Sequence, residues 1–201
     1  MNHSQPRRNF LRDGLCIAAG VAAGTALPGF LRHSMVVPAY GDEKKAPREF
    51  EKRLKELGIE LPPPAKPVAV YVPAVITGNL LFTSGHIPFG ADGKPLPGRI
   101  GQEMTVEQGA EIARTVGLSI LTTVRQTLGS LDRVVRLVKA TGMVNCTADI
   151  SQQPKVVNGF SELMVQVFGE DAGKAARSAI GMISLPGNVP VEIEAIFEIE
   201  N

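Results

Sequence analysis

A chain of 201 residues has room for one domain and an appendage, and a composition 44% hydrophobic and 20% charged excludes a disordered low-complexity tract. A formal charge of +1 offers no net basic field for nucleic acid, and the absence of Trp, with Tyr40 and Tyr71 the only tyrosines, forces an aliphatic core. Cys16 and Cys146 are the only cysteines, too few for a disulfide framework or a cysteine-rich metal site.

Residues 6–12 read Pro-Arg-Arg-Asn-Phe-Leu-Arg, and a Gly/Ala-rich apolar run follows from Gly14 to Leu27 before Pro28 and Gly29 stop it. Adjacent arginines ahead of Phe10 and Leu11 resemble a bacterial twin-arginine export signal, although Pro6 and Arg12 depart from its usual residues. A membrane-spanning helix needs ~20 predominantly apolar residues, and this glycine-interrupted run is shorter. The expectation is therefore an export signal over 1–39, cleaved after Val37-Pro38-Ala39, and a periplasmic protein that meets the membrane only through that signal. Its removal takes four basic residues, one acidic residue, Cys16, His3 and His33, and leaves a net charge of −2. His86 is then the sole imidazole, so a two-histidine metal site cannot be built within one mature chain.

Residues 40–66 form an N-terminal helix and a linker. Phe50, Leu54 and Leu57 recur at helical spacing, Gly58 is placed to end the helix, and Leu61-Pro62-Pro63-Pro64 must be extended. The main domain, 67–201, opens with strands at Val68–Tyr71 and Asn79–Ser84 around a Thr77-Gly78-Asn79 turn, then a Gly/Pro-rich loop from Gly90 to Gly98. Thr105 and Gln108 have capping-box spacing, Ile112, Val116, Ile120 and Val124 line one helix face, and Gly129 stops it. Arg133–Val144 reads as a strand with a bulge at Gly142. Pro154–Phe168 reads as a second helix ending at Gly169. The last strands are Arg177–Ser184 and Val191–Ile199, joined by a compact, hairpin-like Leu185–Pro190 return.

Three segments in order carry a resemblance. Ala176-Arg177-Ser178-Ala179-Ile180, Leu185-Pro186 and Val191-Glu192-Ile193-Glu194-Ala195-Ile196 are similar to the C-terminal signature of the RidA (YjgF-type) family. Gly78-Asn79-Leu80-Leu81-Phe82-Thr83-Ser84-Gly85-His86-Ile87-Pro88 resembles its second strand and turn, and Asn158 falls where the family places an active-site asparagine. The resemblance spans roughly Pro67 to Ile199. It implies an α+β fold of the RidA/chorismate-mutase-like type, a mixed β-sheet backed by two α-helices and assembled as a homotrimer with intersubunit sites. It also implies cofactor-free hydrolysis of small imine or enamine acids, such as 2-aminoacrylate, to keto acids and ammonia. Carried over by position, Arg177 and Glu192 are the catalytic candidates. Arg177, Tyr71, Ser84, Gly85, Asn158 and Ala179 are the substrate-binding ones, with no metal. Position 179 is Ala where many relatives carry Cys, so a role there runs through the backbone. The proline-rich extension and the Tyr71-Val72-Pro73-Ala74 variant mark a divergent subfamily.

Independent chemistry favours some of these residues. An arginine at the start of an apolar strand calls for an anion, and its planar fork fits a carboxylate-bearing substrate better than lysine does; a structural glutamate is the competing partner. Strict alternation in the last strand sends Ile193, Ala195, Phe197 and Ile199 to one face and Glu192, Glu194 and Glu198 to the other, where solvent, a site or a neighbouring subunit must receive them. If the last two strands pair about Gly187, Arg177 lies near Glu198, and Glu192 is ~20 Å away, so a site using both lies between subunits. His86, where relatives commonly carry Gln, reads as a surface or capping histidine, and Cys146 as a buried filler. A non-catalytic trimer binding a keto or amino acid is the competing function. The family's older ribonuclease label is opposed by the charge of −2 and the scarcity of aromatic stacking residues, so no nucleic-acid partner is expected.

Overall fold

The computed structural model describes residues 48–64 and 70–200; the export signal and the beginning of the strand expected at Val68 lie outside the described residues. Helix α1 (Phe50–Glu56) follows the expected stripe only in part: Leu54 is buried and Phe50 meets Phe168 edge-on at 4.9 Å, but Leu57 turns out to solvent. Gly58 ends it with φ +63°, a conformation that carries little strain only for glycine. The prolines that follow have no regular structure yet are tethered, because the Thr122 hydroxyl donates to the Pro62 carbonyl at 2.9 Å and Leu61 packs on the core.

The first strand is displaced from its expected place. Val70 and Tyr71 are exposed and bent, and β1 is Ala74–Thr77. Pro73 cannot donate to a ladder, so antiparallel pairing with β2 (Leu80–Thr83) begins just beyond it, across the Gly78 turn. Helix α2 (Val106–Leu128) starts as expected. Gln108 N–H donates to Thr105 Oγ1 at 3.2 Å and Thr105 N–H to Gln108 Oε1 at 2.9 Å, and Gly129 closes the far end with φ +82°. Next come β3 (Val134–Asn145) and α3 (Gln153–Gly173), whose regular helix breaks at Gly169 before a last turn. Strands β4 (Ala176–Met182) and β5 (Val191–Ile199) complete the sheet.

Strand order is β1-β2-β5-β3-β4, which overturns the expected pairing of the last two strands. β4 runs parallel to β3, and β5 lies antiparallel between β3 and β2. The reason is the β3-α3-β4 connection: a helix between two strands returns the chain to its starting end, so the strands pair in parallel. The Leu185–Pro190 segment then carries the chain past the end of β3, where Asn145 N–H donates to the Pro190 carbonyl at 2.9 Å. The expected bulge at Gly142 is also displaced, since the register shifts fall between Val134 and Arg136 and between Leu137 and Lys139. Gly142 instead lacks a side chain because Val157 of α3 packs directly on the strand there.

Helices α2 and α3 cover one sheet face. Val116, Ile120, Phe160 and Leu163 meet Leu81, Leu137, Ile193 and Phe197, all but fully buried. Truncating a residue such as Phe160 to Ala removes about 3–5 kcal/mol. Among the described residues the other face carries no helix. Register places Phe82, Ile196 and Lys139 in one row across it, and Glu194 with Thr141 in the next, while the alternation of β5 is as the sequence requires.

Candidate functional site

Parallel pairing sets Arg177 opposite Ala140, a residue that faces the helices, so the Arg177 side chain projects toward α3. One terminal nitrogen, Nη1, donates to Asn158 Oδ1 at 2.8 Å and to Ser161 Oγ at 3.0 Å; the other, Nη2, donates to the Pro154 carbonyl at 3.4 Å. All three acceptors are neutral. Among the described residues Arg177 makes no ion pair, so the structural glutamate weighed as its partner is not there. Residues 154, 158 and 161 recur at i, i+4 and i+7, which puts them on one stripe of α3. Sequence reasoning found Asn158 and missed the other two, although that spacing was readable. Ala179 lies two residues along the same strand face, opposite Gly142, and packs against the core.

Glu192 belongs to the opposite, helix-free face, paired with Met143. Its carboxylate lies against Gly85, close enough that a methyl group there would fall inside it. Reciprocal backbone bonds, His86 N–H to Ile193 O at 2.8 Å and Ile193 N–H to His86 O at 3.0 Å, hold this turn over β5. Burial, then the nearby Glu194 charge, pushes the Glu192 carboxyl above the usual carboxylate range. The Ser84 hydroxyl donates to the Val72 carbonyl at 2.6 Å and its N–H to the Pro73 carbonyl at 2.9 Å, which ties the turn to the segment carrying Tyr71. Tyr71 itself is 45% exposed and stands free to meet a ligand or a neighbour.

His86 is half-buried and braces the turn, nearer the capping than the surface reading. Its ring bridges the Ser84 carbonyl (Nδ1, 2.8 Å) and the Thr123 hydroxyl of α2 (Nε2, 2.8 Å), and burial lowers its pKa. A neutral ring donating from Nδ1 and accepting at Nε2 satisfies both bonds, so His86 braces the turn against α2. Cys146 is a buried filler, as expected, with the Gln153 amide at 3.5 Å from its sulfur.

The candidates thus fall into two groups: Tyr71, Ser84, Gly85 and Glu192 in one, and Asn158, Ser161, Arg177 and Ala179 in the other. Arg177 is level with Ala140 and Ala195, not with Glu198 as hairpin pairing would require. Glu192 is three residues farther along and two strands across, about 10 Å in each direction, and on the opposite face of the sheet.

The profile of the family described as "YjgF/chorismate_mutase-like, putative endoribonuclease" matches residues 51–193. The chain belongs to the RidA (YjgF-type) family. Its relatives include Protein TCP17 of Trypanosoma cruzi, 39% identical over 148 residues, a match covering 74% of this chain and 92% of that one. The crystal structure of Atu1372 from Agrobacterium tumefaciens is 41% identical, with a TM-score of 0.67 and coverage of 75% of this chain and 94% of that one. A Shewanella oneidensis structure described as "a putative endoribonuclease" is 30% identical, with a TM-score of 0.70 over 75% of this chain and 99% of that one.

In this RidA-family chain a cleft of about 930 Å³ lies between Leu61–Pro64, the loop from Pro88 to Gly93 and α2, but it holds none of the candidate residues. Among the described residues no three His, Cys, Asp or Glu side chains converge as a metal would need. The close approach of Glu192 to Gly85 yields a direct expectation. Gly85→Ala displaces the carboxylate, and an ångström of misplacement is worth about a hundred-fold in rate, so kcat/KM should fall by that order. Because the displaced group is a flexible side-chain end, the melting temperature should barely move; an unchanged kcat/KM would remove Glu192 from the chemistry.

Proposed function

We propose that this protein hydrolyses small imine or enamine acids to keto acids and ammonia, as a homotrimer whose sites lie between subunits. The observation that carries the reading is Arg177, a half-buried guanidinium held by three neutral acceptors with its charge unanswered within the described residues. Such a group invites an anion, and a substrate carboxylate fits its fork. In the proposed reaction water adds to the carbon of a protonated C=N bond. Glu192 accepts a proton from that water and returns it to nitrogen, and the C–N bond then breaks as the hydroxyl gives its proton back to Glu192, releasing ammonia and leaving the keto acid. Its raised affinity for a proton suits both transfers. Backbone groups at Gly85 and Ala179 would orient the substrate, and most of the acceleration would come from positioning.

Assembly follows from the same two groups. A helix-free sheet face that exposes Phe82 beside Ile196 and three glutamates is satisfied by burial against other copies. With Arg177 and Glu192 on opposite faces of the sheet, one site can use both only if neighbouring subunits supply one each.

Turnover of a freshly generated 2-imino acid, followed by keto-acid release, is the deciding test; tight binding of the keto acid without turnover would instead establish a binding trimer. Mixing separately inactive Arg177→Ala and Glu192→Gln chains, unfolded and refolded together, should restore about one quarter of wild-type activity, because random trimers rebuild that share of intact sites. No recovery would refute intersubunit sites.

Export by the twin-arginine route is part of the same proposal. Replacing Arg7 and Arg8 together by Lys should hold the precursor in the cytoplasm, and undiminished periplasmic protein would refute it.

A further inference from the structure

Resting on the reading of Arg177 as the carboxylate anchor, we infer that α3 clamps the end of the guanidinium and thereby offers only its side edge, Nε–H with Nη2–H, to the substrate, with Ser161 as a positioning residue. A guanidinium carries five N–H donors in one plane. Both hydrogens of Nη1 are engaged, one by Asn158 Oδ1 and one by Ser161 Oγ, and Nη2 gives one to the Pro154 carbonyl. The acceptors follow one another along α3 in the order 154, 158, 161, so the end of the fork lies along the helix. Among the described residues Nε–H and the second Nη2 hydrogen remain without an acceptor. They point the same way and match the spacing of two carboxylate oxygens.

Ser161 is suited to this task because its own hydroxyl hydrogen is directed to the Val157 carbonyl at 3.4 Å, which leaves oxygen lone pairs for the arginine. Without it one Nη1 hydrogen is freed and the plane is held only by Asn158 and the longer 3.4 Å bond to Pro154, so the side edge is held less firmly where the carboxylate arrives.

Pyruvate, the simplest keto-acid product, serves as probe. Titrating it into the intact protein should shift the Arg177 Nε–H resonance, identified by its loss in Arg177→Lys, and slow its exchange with water. Ser161→Ala should weaken pyruvate binding about ten-fold, the low end of the loss expected for one hydrogen bond to a charged group, without a change in melting temperature, and Ser161→Thr should restore it. A Nε–H resonance that stays put while pyruvate binds would overturn the side-edge geometry. Unchanged affinity in Ser161→Ala would overturn the role of Ser161. Failure of the wild-type protein to bind pyruvate at all would instead refute the carboxylate anchor, and this inference with it.

Discussion

Arg177→Lys should lose ten- to a hundred-fold in kcat/KM while folding normally. Lysine keeps the charge but not the planar fork, and a charge-assisted hydrogen bond is worth ~1.5–3 kcal/mol, with ~1.4 kcal/mol a factor of ten. Arg177→Ala should lose more, because the substrate carboxylate would enter the pocket unpaired. The contacts to Asn158, Ser161 and Pro154 give a structural arginine a distinct signature. If those bonds were its purpose, the lysine variant would melt at lower temperature with activity per folded molecule unchanged. Kinetics and thermal melting on one preparation separate the two, and retained turnover with lost stability would place Arg177 in the scaffold.

Glu192→Gln should abolish most turnover and at the same time stabilise the protein. Removing a positioned general base is worth about 10²- to 10⁴-fold in rate. The stability gain follows from the direction of its titration: burial and Glu194 hold the folded-state carboxyl above its unfolded value. The native state therefore binds more protons in that interval, and stability falls as pH rises through it. Neutral glutamine escapes that loss. The melting temperature of Glu192→Gln should exceed that of the wild type at pH 7 and converge with it in acid, below both values. A variant that melts lower at neutral pH would show that the carboxylate is structural.

What could be read from the sequence was whatever depends on local pattern. The Thr105–Gln108 box, the stop at Gly129 and the alternation of Val191–Ile199 each follow from periodicity or turn chemistry within a few residues, and each is in the structure. Pairing is a long-range property, and there the reading failed for β4 and β5. Short spacing between two strands suggested a hairpin, when the helix between β3 and β4 already required a parallel neighbour. The site divides in the same way. Arg177, Asn158 and Glu192 were found by residue type and resemblance. Ser161 was missed, because its value lies only in facing the arginine. His86 was read as a surface or capping histidine, and its bond to Thr123 was not legible because that partner is on another element.

The position of β5 also has a meaning in time. The last regular segment of the chain is the middle strand of the sheet, joining the β1-β2 hairpin to the β3-β4 pair. Until β5 has been synthesised the β1-β2 hairpin and the β3-β4 pair lack the strand that joins them, so the sheet closes late, through contacts distant in sequence. A truncation of even ten residues from the C-terminus would remove the keystone rather than fray an edge.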